Sequence, residues 1–128
     1  MAANVRNSGG EPIILALDLK DRSAIEQGVA QFIKAFGIPD YLINNAGIGF
    51  RGYWGDISLD SEIDTLSVNL IGHMILIRLL VPEMLKAGRG HVININTFGG
   101  LYSGPYQGAY CASKFALLAY VESLAYEL

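Results

Sequence analysis

At 128 residues, 52% hydrophobic and 16% charged, the chain has the size of one domain and enough apolar mass for a packed core, which excludes a disordered polypeptide. A formal net charge of −3, with nine Lys and Arg scattered along the sequence, gives no basic field for nucleic acid. A single cysteine, Cys111, excludes an internal disulfide, and His73 and His91 form no metal-spaced pattern with it, so a reducing compartment and no metal are expected.

The opening residues, Met1-Ala2-Ala3-Asn4-Val5-Arg6, lack the apolar stretch of a secretory signal, and a cytoplasmic protein is expected. Pro12-Ile13-Ile14-Leu15-Ala16-Leu17 is a short, almost continuous apolar run ending at Asp18, the pattern of a parallel strand buried on both faces. From Asp21 the apolar residues recur at three and four (Ala24, Ile25, Val29, Phe32, Ile33, Phe36), which predicts a helix stopped by Gly37 and Pro39. Tyr41-Leu42-Ile43 reads as a second strand running into Asn44-Asn45-Ala46-Gly47, and Ile48 to Ser58 as a loop whose Tyr53 and Trp54 read as packing aromatics ahead of the alternative of lining a substrate or lid region.

A long helix follows, capped by Ser58 or Asp60, with Asp60, Glu62 and Asp64 near its positive end. It runs through Asn69 to about Lys86, where Ala87-Gly88-Arg89-Gly90 ends it, and Pro82 is expected to kink or tighten its last turns. Its longest apolar stretch, Leu70 to Val81, is broken by Gly72, His73 and Arg78 and is short for a bilayer, which predicts a buried or subunit-facing helix. His91 to Ile95 is a third strand, Phe98 to Gln107 a loop, and Tyr110 to Leu128 a final helix. Strands alternating with helices define the α/β class, a parallel sheet covered by helices.

Four sets of residues can carry chemistry. Tyr110 and Lys114 are four apart at the start of the last helix, so they share a face about one turn apart. A phenol is a poor acid–base group near neutrality, and a neighbouring ammonium stabilises its phenolate. Thr97 places a hydroxyl at the end of the third strand, while Asn96 is expected on the opposite face. Asn69 is an amide inside an otherwise apolar helix, which demands a partner if buried. Asn44-Asn45-Ala46-Gly47 follows a strand at the carboxyl edge, where open α/β sheets bind ligands; Ala46 and Gly47 admit a flat ring, and the amides can tie strands together. His73 and His91 read as packing or surface residues, and Cys111 as packing.

The order Asn44-Asn45-Ala46-Gly47, Asn69, Thr97, Tyr110-Cys111-Ala112-Ser113-Lys114 resembles the short-chain dehydrogenase/reductase family from about Glu11 to Leu128. The resemblance implies a partial NAD(P)-binding Rossmann-like domain over residues 1–128, doubly wound but incomplete, with strands three to five of the family fold and their helices. It implies hydride transfer between NAD or NADP and an alcohol, ketone or aldehyde. In that scheme Tyr110 is the general acid/base, Lys114 its modulator and ribose ligand, Thr97 the oxygen polariser in place of the usual serine, and Asn69 a relay residue that deforms its helix and holds a water. Asp18, Leu19 and Asn44, Asn45, Ala46 and Gly47 would border the adenosine side of the cofactor.

Gly9-Gly10 is not the family's glycine-rich phosphate loop, and no strand and helix flank it. With that loop and the first two strands absent, the sheet is expected to have a gap between the Ile13 segment and Leu42, as in the middle piece of a longer protein or a truncated product. The residues that choose between NAD and NADP belong to the missing second strand. The run Tyr110 to Leu117 looks like the branch containing steroid and retinol dehydrogenases, which implies an apolar substrate. Pairing of the two long helices implies a homo-oligomer, and the competing reading is a non-catalytic polypeptide that acts through those helices, Ile63 to Leu85 and Tyr110 to Leu128.

Overall fold

The computed structural model describes residues 2–128. Helix α1, Ala2–Asn7, has no counterpart among the sequence expectations, and the Gly10 N–H closes it onto the Val5 carbonyl at 2.9 Å. Helix α2, Arg22–Phe36, begins where Asp21 accepts from the Ala24 N–H at 3.1 Å. It ends at Gly37, whose φ of 77° lets its N–H reach the Ile33 carbonyl; glycine takes that left-handed conformation at least cost. Ile25 and Val29 on its inner face join Leu80 in a buried cluster, with Leu17, Leu19, Leu42 and Leu76 packed around it.

Two strands, β1 (Tyr41–Asn44) and β2 (His91–Asn94), form a parallel sheet in the register Tyr41↔His91 to Asn44↔Asn94. The expected strand over Pro12 to Leu17 does not form. An apolar run becomes a strand only when another strand accepts its ladder, and the neighbour that would do so is missing. The segment has no regular structure and docks by side chains: Leu17 and Leu19 reach the cluster of Ile25, Val29 and Leu80. A cavity of about 210 Å³, lined by Leu15, Leu17, Phe32, Leu42 and Leu76, separates it from β1, the gap foreseen from the absent strands.

Helix α3, Leu59–Leu66, starts at Ser58, whose hydroxyl accepts from the Ser61 N–H at 3.1 Å. It passes through a π-helical turn, Ser67–Ile71, into α4, Gly72–Lys86, which carries Pro82 on its exposed side without ending there. The continuous helix from Leu59 to Lys86 has 28 residues and is long and apolar enough to cross a membrane, more than the Leu70 to Val81 run alone suggests. Within the fold it is the central strut, packed on α2, β1 and the last helix, α5, Gly108–Ala125. Gly72 makes that packing possible: a Cβ there would lie 2.7 Å from the Leu19 carbonyl oxygen.

Candidate active site

The chain leaves β1 and β2 at the same end, and the two exits form the walls of a cleft of about 550 Å³. Asn45, Gly47 and Gly49 come from the first exit, Thr97 from the second, and Tyr110 and Lys114 from the first turns of α5. Asn44 lies beneath: it is buried, and its Nδ2 donates to Asn94 Oδ1 at 2.8 Å, joining the two strands at their ends. Asn96, expected on the opposite face, lines the cleft beside Thr97 because β2 stops at Asn94 and strict alternation stops with it. Its Oδ1 accepts from the Thr97 N–H at 2.9 Å, which fixes the backbone that carries the Thr97 side chain.

Lys114 is nearly fully buried, and its ammonium donates to the Ile95 carbonyl at 3.0 Å. Burial holds its pKa below the ordinary lysine range, and none of the residues lining the cleft is acidic. The Tyr110 ring lies against Gly49, where a Cβ would approach Cδ2 to 2.7 Å, and its other edge faces Gly99. Glycine at position 49 therefore lets the loop after β1 close on the phenol.

Asn69 is fully buried in the π turn and holds three elements together. Its Oδ1 accepts from the Ile48 N–H at 2.8 Å, and its Nδ2 donates to the Ile48 carbonyl at 2.8 Å and to Ser113 Oγ at 3.1 Å. Ser113 in turn donates to the Tyr110 carbonyl at 2.7 Å. The amide thus ties the cleft floor to the helix turn that carries Tyr110 and Lys114. A Cβ on Gly47 would lie 3.3 Å from Asn69 Oδ1 and 3.8 Å from Lys114 Nζ, so Gly47 brings the backbone down onto both groups.

The structure gathers Asn45, Gly47, Thr97, Tyr110 and Lys114 around one space with Asn69 behind it. Asp18 and Leu19 are not in that space: Asp18 is exposed and caps the Lys20 N–H at 2.9 Å, and Leu19 packs on Gly72. Ala46 is exposed and does not line the cleft. Ile48, Gly49, Arg51, Gln107 and Ser113 join the site without having been singled out. Only Gly49 had a legible signal, a second glycine two residues after Gly47. Tyr106, with φ of 69°, turns its carbonyl onto the Gly52 N–H at 3.0 Å and meets Tyr53 edge-on, lacing the two rim loops together. Trp54 stays exposed outside that contact. His91 stacks on Tyr41 at the far end of the sheet, and Cys111 is buried beside Gly99. Among the described residues no cluster of three His, Cys, Asp or Glu could hold a metal.

His73 is also fully buried, and desolvation, reinforced by the Lys114 charge, lowers its pKa below 6.5. Below that pH the unfolded chain takes up a proton that the folded chain refuses. Stability is therefore expected to fall on acidification from pH 6.5, by up to about 1.4 kcal/mol per pH unit, until the depressed pKa is reached. Urea denaturation between pH 7 and 5 checks this, and His73→Leu should flatten that slope.

The sequence pattern of the short chain dehydrogenases matches residues 1–128. The chain belongs to the short chain dehydrogenase family. It is 38% identical over 120 residues to 3-ketodihydrosphingosine reductase of Bacteroides thetaiotaomicron, covering 93% of this chain and 44% of the relative. A short chain dehydrogenase/reductase of Burkholderia phymatum, solved with NAD, superposes with a TM-score of 0.92 at 30% identity, over 99% of this chain and 46% of that one. A metagenomic short-chain oxidoreductase solved with NADP gives 0.93 at 34% identity, over 99% and 57%. The fold is thus a Rossmann-like α/β fold, incomplete, and the chain spans about two fifths of the length of the curated relatives it matches.

Proposed function

We propose that this chain carries the acid–base half of an NAD(P)-dependent oxidoreductase that interconverts an alcohol with a ketone or aldehyde. The observation that supports it most is the convergence of Thr97, Tyr110 and Lys114 on one cleft, with the Asn69 amide tying the loop after β1 to the turn that carries Tyr110 and Lys114. The nicotinamide cofactor, NAD or NADP, would supply or accept the hydride. The cleft suits a flat ring: Gly47 and Gly49 keep side chains out of its floor, and Lys114 presents the cation for a ribose. Asn45 and Gly47 border the same floor, with Asn44, Ala46, Asp18 and Leu19 assigned to the adenosine side.

Tyr110 gives its hydroxyl proton to the carbonyl oxygen on reduction and recovers it on oxidation. Lys114, held in place by the Ile95 carbonyl, stabilises the phenolate while the proton is away. Thr97 donates to the substrate oxygen as negative charge develops there. A hydroxyl is all that this requires, so Thr97→Ser should keep the rate within a few-fold, while Thr97→Ala should cost about 10²–10³ in kcat. Equal rates in Thr97→Ala and the wild type would remove that role.

The likeness to a 3-ketodihydrosphingosine reductase favours a ketone as substrate, and the run Tyr110 to Leu117 favours an apolar one. Oxidation of NADH and NADPH followed with a panel of aliphatic and steroidal ketones tests the reading; ketone-dependent consumption of one cofactor is expected. Binding of neither cofactor would overturn it and favour association without catalysis. Leu59, Ile63, Ile71 and Phe115 are exposed on α3, the π turn and α5, which supports a homo-oligomer through these helices, to be read by sedimentation velocity.

A further inference from the structure

The sheet is covered on one side only. Leu42 turns into the cluster of Ile25, Val29 and Leu80, and Val92 and Asn94 line a groove with Met84, Val121 and Leu124, so α2, α4 and α5 all lie on the same face. Alternation sends Tyr41, Ile43, His91 and Ile93 the other way, and the parallel register sets Tyr41 beside His91 and Ile43 beside Ile93. All four are exposed, Tyr41 to 60%, Ile43 to 58% and Ile93 to 40%. The rings of Tyr41 and His91 stack with centroids 5.2 Å apart, which gives the patch a flat, ordered end. Parallel strands are ordinarily buried on both faces, and β-branched apolar side chains stabilise a strand by packing against neighbours, which this face lacks.

Area and charge point to what covers it. The chain exposes 8509 Å², whereas a compact monomer of its 13.9 kDa exposes about 6,700 Å². The excess, about 1,800 Å², is larger than the roughly 800 Å² that each partner contributes to a standard stable interface. The face holds no Asp, Glu, Lys or Arg, and at its edge Asp40 and Arg89 pair with each other. A chain of net charge −3 can therefore meet its own copy here without setting like charges opposite one another. We propose that the exposed sheet face of Tyr41, Ile43, His91 and Ile93 is a self-association surface, covered by the same face of a second copy. The two sheets stack about 10 Å apart around a twofold axis, as the layers of a sandwich do. Each copy thereby removes the other's Ile43 and Ile93 from water. None of the four residues lines the cleft, and the surface is separate from the exposed Leu59, Ile63, Ile71 and Phe115 of the helices, so the inference stands or falls apart from the redox reading.

Sedimentation velocity and isotope-filtered NMR on the 128-residue protein test this. The wild type should associate, and in a mixture of labelled and unlabelled protein the Ile43 and Ile93 methyls should show intermolecular contacts to the same face of the other copy. Ile43→Lys brings two ammonium groups into a twofold interface and should weaken association through this face at least about tenfold. Ile63→Lys, on α3, should leave the contacts between sheet faces in place. Both positions are exposed in the single chain, so neither change costs the fold much. A chain that stays monomeric at the highest soluble concentration overturns the proposal. So does an association that Ile43→Lys leaves unchanged, or one whose intermolecular contacts run only from α3, the π turn or α5; the sheet face then belongs to solvent or to a different polypeptide. The filtered contacts are read on the wild type and stand whether or not either variant folds.

Discussion

Tyr110→Phe is expected to slow ketone reduction by about 10²–10⁴-fold, or about 3–5 kcal/mol of barrier, while fold and cofactor affinity stay in place. The substitution removes one oxygen and nothing else that the structure uses. The ring edges against Gly49 and Gly99 are retained, and Ser113 bonds to the backbone carbonyl of residue 110 rather than to the phenol. Lys114 keeps its own anchor on Ile95. Stability should therefore change by less than about 1 kcal/mol. Single-turnover oxidation of bound reduced cofactor, compared with cofactor binding by fluorescence, checks both halves. A rate within threefold of the wild type, with binding intact, would place the proton donor elsewhere. The partner experiment is the pH profile: burial depresses the Lys114 pKa, so the ammonium that supports the phenolate is lost at a pH below 10.5, and the alkaline limb of the rate should lie there.

An acid–base pair of this kind is written locally in the sequence. Tyr110 and Lys114 are one helical turn apart, and a helix fixes that geometry without tertiary help. Helix α2 was equally legible, since the Asp21 cap, the three-and-four spacing and Gly37 all agree. The segment from Pro12 to Leu17 was not. Its composition is that of a strand, but pairing is a property of two segments, and the second is not in this chain. Asn96 shows the same limit on a smaller scale: alternation holds only while the ladder continues, and two residues beyond Asn94 it no longer decides which way a side chain faces. The π turn at Ser67–Ile71 has no residue signature of its own, and the family resemblance, not spacing, announced a deformation there. Asp18 and Leu19 lie outside the cleft, in a turn and on a helix contact, and their place on the adenosine side rests on the family resemblance rather than on spacing.

Asn69→Leu should cost the folded protein about 3 kcal/mol and lower its thermal midpoint by about 10 °C. Leu has the same number and branching of side-chain heavy atoms as Asn, is bulkier, and has a better helix propensity, so neither a cavity nor a poorer helix former accounts for the loss. The cost is polar. The wild-type amide makes three hydrogen bonds from a fully buried position, two to the Ile48 backbone and one to Ser113. Leu strands the buried Ser113 hydroxyl on one side, though that group keeps its bond to the Tyr110 carbonyl, and frees the Ile48 backbone on the other. Ile48 is near solvent and can recover part of its hydrogen bonding from water, which keeps the total near three single bonds instead of the full desolvation penalty. Asn69→Asp is the sharper comparison. It retains an acceptor for the Ile48 N–H, removes both donor bonds, and buries a carboxylate close to the space bordered by the Lys114 ammonium. If the amide matters as a two-sided clamp, Asp should not restore stability; if it matters only as an acceptor, Asp should approach the wild type. Urea denaturation of the two variants at pH 7 separates these cases. It also separates architecture from chemistry, because the loop carrying Gly47 and Gly49 is held down by this side chain before any ligand arrives.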